Sequence, residues 1–364
     1  MDKIIKNILS KIESEGYEAY IVGGFVRDKI LKRSSYDVDI CTNALPIQLK
    51  QIFNISQSSN GYGGFNLKIK KYNVDITTYR KEIRYDKRKP VEIEYISNLF
   101  EDINRRDFTI NSLCMDKNDN IIDLLNGTND INDKIIKVIG NPDERFVEDP
   151  LRILRAIRFA TILGFFIEKT TYLSICTNHM LVSSLSSERI KEELSKILST
   201  PNYLRGLDIL TKTGVAKTIG LNYKKVVYTD DLIGMWAQID CRSINFSKTE
   251  IDSISRIKKI IARGSINDFD LFNDGLYLSL VAGQILGISR QKINKMYNKL
   301  AIKSMKDIDI NGREVIELLN IKPSKIVSDI ILDLRNQILN RELKNSKSEI
   351  KKYLLGKWQD DKRQ

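Results

Sequence analysis

The sequence predicts an α+β fold, with strands and helices alternating over about the first 140 residues and helices alone thereafter. Three observations carry this. Short runs of period-two alternation are interleaved with helical stretches before Pro142, Ile and Leu recur at three- and four-residue steps after it, and the composition is that of an ordinary globular chain. The 364 residues are 42% hydrophobic and 29% charged, enough to bury substantial cores in two or more domains.

Taken in order, residues 1 to 15 place Ile4, Ile5, Ile8, Leu9 and Ile12 on one stripe, so an amphipathic helix is predicted there, ended by Gly16. Tyr17 to Val22 reads as a strand, Gly23-Gly24 interrupts, and Phe25 to Leu31 reads as a helix. From Tyr36 to Cys41 alternation sends Asp37 and Asp39 to one face and Val38 and Ile40 to the other. Thr42 or Asn43 is the expected cap of the next helix, with Pro46 in its first turn. Asn66 to Lys70, Asn73 to Tyr79 and Val91 to Ile96 supply further strands, and Arg80 to Pro90 (RKEIRYDKRKP) reads as a very basic loop between two of them.

Asn104 to Met115 (NRRDFTINSLCM) runs from polar into apolar, and Asp123 to Gly127 forms a turn. Beyond Pro142, helices are predicted over Asp149 to Phe159, Ser187 to Leu198, Tyr203 to Thr211, Lys248 to Ala262 and Leu276 to Gly287, with breaks at Gly214, Gly264 and Gly275. The segment from Asn311 onward is helical and Lys-rich.

Lys and Arg number 59 against 47 Asp and Glu, a formal charge of +12 with a pI near 9.3, so the surface favours polyanions such as nucleic acid or an anionic membrane. The start, MDKIIKNILSKIESEG, lacks the apolar core of a signal peptide. Leu276 to Ile288, the most apolar later run, is interrupted by Ser279, Gly283 and Gln284 and is too short to span a bilayer. Nucleic acid is therefore the favoured partner, no membrane is expected, and the location is expected to be cytoplasmic. Cys41, Cys114, Cys176 and Cys241 show no CxxC spacing, which argues against a zinc site or a disulfide scaffold. With His179 the only histidine, any metal should be a hard ion held by carboxylates.

Asp37 and Asp39 project from one strand face about 6 to 7 Å apart along the chain, close enough for one or two Mg²⁺ ions to bridge them. Gly23 and Gly24 at the preceding strand end permit close backbone approach to a ligand, and Arg27 follows as a phosphate partner. Together these suggest a nucleoside triphosphate with Mg²⁺, and hence phosphoryl or nucleotidyl transfer, which needs no histidine base. Asp75 is a candidate third carboxylate from a neighbouring strand. No GxxxxGK[ST] loop or kinase-type Gly-rich loop is present.

GGFVRDKIL followed by DVD, then RRDFTIN, EDPLRILRAIRFATILGF and SSERIKEELSKIL, resembles the class II tRNA nucleotidyltransferases, the CCA-adding enzymes, and the related bacterial poly(A) polymerases. NGREVIELLNIKP resembles the family's tail. The resemblance implies a nucleotidyltransferase head with a small mixed sheet at 1–140, a helical neck for base recognition at 141–200, a helical body at 201–300 and a tRNA-binding tail at 301–364. It implies CCA addition to the 3′ end of tRNA from CTP and ATP by Mg²⁺-dependent, two-metal transfer that releases diphosphate. Asp37 and Asp39 would hold the metal, and Gly24 and Arg27 would contact the triphosphate. Arg106 and Asp107 would engage the nucleotide, the aspartate at the ribose, with Asn111 in support. Asp149 and Arg152 would present a Watson-Crick-like edge to the base, and Arg155 and Arg158 would reach the phosphates. Arg84, Tyr85, Asp86 and Arg88 would lie in the family's flexible loop, tied to the switch from C to A addition.

Independently of the family, Asp149, Arg152, Arg155 and Arg158 recur every three residues over one broad helical face, so Asp149 and Arg152 are expected to pair with each other. A poly(A) polymerase, an enzyme limited to CC or A addition, and an inactive RNA-binding relative are the alternatives. The stretch GYGGFNLKIKKYNVD, which is not the Arg-rich strand of the poly(A) branch, favours CCA addition. The oligomeric state is left open, a homodimer included.

Overall fold

A computed structural model describes residues 2–54, 64–86 and 89–358. The chain divides into two compact units, Met1–Asn222 with Cys241–Asn245, and Tyr223–Asp240 with Phe246–Gln364.

The first unit begins with α1 (Lys3–Glu13), which buries Ile5, Ile8, Leu9 and Ile12; Gly16, at φ +86°, follows as the predicted stop. Next come β1 (Ala19–Val22), α2 (Gly24–Ile30), β2 (Asp37–Thr42), α3 (Pro46–Phe53), β3 (Phe65–Ile69) and β4 (Tyr72–Thr78). They are followed by β5 (Arg80–Asp86), β6 (Lys89–Tyr95), α4 (Leu99–Asn104), a 3₁₀ turn at Thr109–Asn111, β7 (Cys114–Met115) and β8 (Ile121–Ile122). Six strands form one sheet in the order β3-β4-β2-β1-β7-β8, with β2 parallel to β4 and the other pairs antiparallel. A small mixed sheet is what the resemblance implied. Its register sets Asp39 beside Val22 on one side and beside Asp75 on the other.

Two local expectations change. Neither Thr42 nor Asn43 caps α3: the Thr42 hydroxyl accepts from the Ala44 N–H at 3.0 Å, and the Asn43 side chain accepts from the Glu18 N–H at 2.8 Å. The helix starts at Pro46, whose missing N–H needs no partner, while Gln48 reaches back to the Leu45 N–H at 2.7 Å. The basic stretch from Arg80 is a hairpin rather than a loop: β5 and β6 pair antiparallel as a separate two-stranded sheet. The register sets Lys81 opposite Glu94, Arg84 opposite Glu92 and Asp86 opposite Lys89.

The unit continues through α5 (Gly127–Asn132), β9 (Ile135–Ile136), α6 (Pro142–Glu148), α7 (Leu151–Leu163), β10 (Phe166–Ile167), α8 (Lys169–Asn178), α9 (Ser187–Leu198), α10 (Tyr203–Lys212) and α11 (Val215–Thr218). β10 lies parallel to β9. Helix α7 packs on α9 and α10 through Ile153, Leu154, Ala156, Ile157 and Ala160. It begins two residues later than predicted. Asp149 precedes Pro150 and is forced into extended backbone (φ −144°, ψ 95°), which ends α6 and breaks the two helices apart.

The second unit holds α12 (Leu232–Trp236), α13 (Lys248–Arg263), α14 (Asp268–Asn273), α15 (Gly275–Leu286), α16 (Arg290–Asn298), α17 (Gly312–Leu319), α18 (Lys325–Leu339) and α19 (Lys347–Trp358). Trp236 is buried edge-on to Phe246 at 5.4 Å, and α13 packs against α15. Among the described residues no helix is long and apolar enough to cross a membrane.

The turn at Asp123 is built as its sequence suggests, its carboxylate accepting from the N–H groups of Leu125, Gly127 and Thr128 at 3.3, 2.9 and 2.8 Å. Gly127 then passes so close to the 3₁₀ turn that a Cβ there would sit 2.2 Å from the Thr109 carbonyl oxygen. Backbone cannot yield as a side-chain tip can. Gly127→Ala should therefore cost about 1–3 kcal/mol in denaturant unfolding, and an unchanged midpoint would show that the approach is not tight.

Candidate active site

Strand β2 exposes Asp37 and Asp39 on one face and buries Val38 and Ile40 on the other, as the alternation predicts. An amide shelf lies beside the carboxylates. Asn73 donates to Asp37 at 3.4 Å, and Asn66 donates to Asp75 and to the Asn73 side-chain oxygen, both at 2.9 Å. Burial raises the Asp39 carboxyl above its ordinary value, Arg106 opposes this, and the like charges of Asp75 and Asp37 add to it. Among the described residues no group of three or more His, Cys, Asp or Glu is arranged to hold a metal ion. Asp75 accepts from Asn66 and sits beside Asp39 in the β2–β4 register, as Asp37 accepts from Asn73. The donors are carboxylate and amide oxygens alone, a set that fits a hard divalent cation, and a cation between the aspartates would relieve their repulsion.

Gly23 closes one side of this pair. It stands at φ +80°, and a Cβ on it would lie 3.6 Å from an Asp39 oxygen and 4.0 Å from the Arg106 guanidinium. Its N–H is tied to the Leu113 carbonyl at 3.1 Å, and α2 begins at the next residue.

From α2 a polar relay runs to α7. Arg27 is buried, bound to Asp28 at 2.9 and 3.0 Å, and donates to the Asn111 side-chain oxygen at 2.6 Å. The Asn111 amide donates to Asp107 at 3.2 Å, and the other Asp107 oxygen accepts from Arg155 at 2.7 and 2.5 Å. Burial would raise the Asp107 carboxyl, but the Arg155 charge, its hydrogen bonds and those of Asn111 and the Phe108 N–H hold it below the ordinary value. Arg158 pairs instead with Glu193 on α9 at 2.6 Å. Three guanidiniums, of Arg27, Arg155 and Arg158, lie 5.2, 5.5 and 4.1 Å from the ring centre of Phe159, whose negative faces suit cations.

The predicted pairing of Asp149 with Arg152 does not occur. The Asp149 carboxylate accepts from the Leu151 N–H at 3.1 Å, at the start of α7. Arg152 turns toward α6, donating to Glu148 at 2.8 Å and to the Arg145 carbonyl at 2.9 Å. Pro150 is the cause: with the helix broken at Asp149, the i,i+3 neighbour no longer shares its face, and the i−4 glutamate of the preceding helix takes its place. Arg145 also binds Glu148, at 2.6 Å, and the carbonyls of Arg105 and Arg106 at 2.6 and 2.7 Å, so it fixes the end of α4.

Asp102, Arg145 and Glu148 were not singled out from the sequence, and Phe159, expected only as a core anchor away from the arginine face, stands against three guanidiniums. A signal existed for two of them: Asp102 stands at i,i+3 and i,i+4 to Arg105 and Arg106, and Glu148 at i,i+4 to Arg152. Of the basic-loop residues, Arg84, Tyr85 and Asp86 have backbone in β5, and Arg88 lies outside the described residues. Gly24, Arg27, Asp37, Asp39, Arg106, Asp107, Asn111, Asp149, Arg152, Arg155 and Arg158 all lie in the first unit, and hydrogen bonds join Arg27, Asn111, Asp107 and Arg155 directly.

Residues 19–137 match the family described as "Poly A polymerase head domain", 164–222 "Probable RNA and SrmB-binding site of polymerase A", and 233–354 "tRNA nucleotidyltransferase domain 2 putative". Fold and site together define a nucleotidyltransferase. The CCA-adding enzyme of Limosilactobacillus reuteri is 34% identical over 93% of each chain, and that of Lactococcus lactis 33% identical over 96% of this chain and 97% of its own. The Bacillus stearothermophilus CCA-adding enzyme, solved in complex with CTP, shares the fold with a TM-score of 0.84 at 25% identity, the match covering 100% of both chains. The chain belongs to the CCA-adding enzyme family.

The Asp107 carboxyl is held low in the folded state, so the stability it contributes is complete above the ordinary unfolded value, about 3.9, and is lost as pH falls through the folded one. Asp107→Asn should lower stability at neutral pH by about 1–3 kcal/mol. It should also leave a shallower decline on the acid side. Equal acid limbs for variant and parent in urea unfolding would contradict this.

Proposed function

We propose that the chain adds C, C and A to the 3′ end of tRNA from CTP and ATP in the cytoplasm. The observation that supports the reading is the hydrogen-bonded relay from Arg27, on the segment beside Asp37 and Asp39, to Arg155 of α7, which would join a reacting end to a reading end. The names of the relatives and the CTP complex of the Bacillus enzyme support it. In each cycle the 3′ oxygen of the tRNA attacks the α-phosphorus, the bond from that phosphorus to the bridging oxygen breaks, and diphosphate leaves.

Asp37 and Asp39 would hold Mg²⁺, in a two-metal arrangement that supplies charge neutralisation at the triphosphate and makes the attacking hydroxyl more acidic. Gly24, lacking a side chain, leaves the backbone open to the phosphates. Arg27, Arg155 and Arg158 keep acidic partners until phosphate competes for them, and Arg106 stands at the same end. Asp107 would turn from Arg155 toward the ribose, with Asn111 retaining it. Asp149 and Arg152 would read the base as two independently fixed groups, one held by the backbone of α7 and the other by Glu148.

The head at 1–140 would carry catalysis and the neck at 141–200 base choice. The body and tail at 201–300 and 301–364 would bind the tRNA, their lysines and arginines making that binding salt-sensitive. Because the head matches a poly A polymerase model, A-tailing is the second reading.

Purified protein offered a tRNA lacking its 3′ terminus, with each labelled NTP singly and in pairs, should stop after C, C and A. Asp39→Ala should abolish transfer and leave tRNA affinity within about threefold. Unbounded A tails on arbitrary RNA would refute CCA addition, and appreciable turnover by the variant would remove Asp39 from the mechanism.

A further inference from the structure

We propose that Lys68 binds the last phosphodiester of the RNA strand being extended, so that the β3–β4 side of the sheet seats the attacking 3′ end. The inference deepens the proposed function and rests on it.

The strand register lays out the face that carries the aspartates in rows. Asp39 on β2 stands beside Asp75 on β4, which stands opposite Asn66 on β3. One row along, Asp37 stands beside Asn73, and Asn73 stands opposite Lys68. Cross-strand neighbours in register share a face, and so do side chains two apart on one strand. The hydrogen bonds agree, since Asn66 donates to both Asn73 and Asp75, and Asn73 to Asp37. Lys68 therefore projects from the face of the aspartate pair, two inter-strand spacings or about 10 Å from Asp37 with an amide between them. It is exposed on the edge strand of the sheet, and its side chain forms no hydrogen bond or ion pair with any described residue. Its ammonium sits on a flexible four-carbon stem that can reach back toward the pair.

The proposed reaction names the ligand. The groups that would hold the triphosphate lie on the β1 side of β2: Gly23 directly follows β1, the Arg106 guanidinium stands beside Gly23, and α2 carries Arg27. In an in-line displacement the attacking and leaving oxygens stand on opposite sides of the phosphorus. With diphosphate leaving toward β1, the 3′ oxygen arrives from the side of β4 and β3. The phosphodiester one sugar back from that oxygen is the anion Lys68 meets. Beyond Lys68, Lys70 (φ +54°) and Lys71 make the turn into β4, so positive charge continues at this end of the sheet. A lysine that served only to discourage pairing at the sheet edge would be indifferent to the charge of the RNA.

The test uses the full chain, CTP, and a tRNA lacking its 3′ terminus whose last linkage is either the natural phosphodiester or an uncharged methylphosphonate. On the natural RNA, Lys68→Ala should raise the KM for tRNA about five- to tenfold while the KM for CTP stays within about twofold, and Lys68→Arg should recover most of the loss. The neutral linkage should cost the parent a similar factor and cost Lys68→Ala less than about twofold more. Equilibrium Kd values for the two RNAs, measured without CTP, should show the same non-additivity. An unchanged KM for tRNA, a loss expressed in the KM for CTP, or two losses that multiply would refute the contact. A parent that transfers no C would refute the proposed function instead, and the Kd cycle would still decide the contact. Should Lys68→Ala not fold, a parent protein that binds both RNAs equally would by itself overturn the proposal.

Discussion

The hydrogen-bonded line Arg27, Asn111, Asp107, Arg155 is the constraint on which the rest of the site depends. It joins α2, the segment ending in the 3₁₀ turn and the long helix α7, which share no secondary structure. A site that must bind a triphosphate needs several guanidiniums close together, and without anions they repel. The chain meets this by giving Arg27, Arg155 and Arg158 the carboxylates of Asp28, Asp107 and Glu193, and by seating all three against Phe159. Each guanidinium is thereby matched by a carboxylate within hydrogen-bond reach.

The reaction class and the specificity reside in different physical devices. Asp37 and Asp39 are a property of one strand, and any sheet with this alternation would present them. On the proposed function, base choice would depend on where α7 stands relative to that strand, and a helix register is set only by contacts at both ends. Buried Ile153, Leu154 and Ile157 fix its depth, Glu148 and the carbonyls of Arg145 and Arg105 fix Arg152, and the relay fixes Arg155. The break at Pro150 decouples Asp149 from Arg152, so the two groups proposed to read the base are held by separate parts of the fold.

Much of this was legible in the sequence where the signal is local. The strand faces at Asp37 and Asp39, the stop at Gly16, the Asp123 turn and the long helices all follow from spacing over a few residues. What failed was non-local or hinged on one residue. The β5–β6 pairing depends on register between segments of mixed charge, which apolar period does not report. The Asp149–Arg152 pair was inferred from helical spacing that Pro150 interrupts. The relay joins positions 27, 107, 111 and 155, and no spacing rule connects them. The family resemblance brought these residues to attention, but it did not show that Asp107 is paired with Arg155 or that Asn111 stands between two motifs.

If the relay sets the register between the reacting strand and the reading helix, cutting it at its middle must damage discrimination as well as rate. Asn111 is the place to cut, because one side chain both accepts from Arg27 and donates to Asp107. The decisive measurement is the ratio of kcat/KM for CTP to that for UTP in Asn111→Ala against the parent protein. The account predicts that this ratio falls by about tenfold along with the rate. A slower enzyme with an unchanged ratio would contradict it.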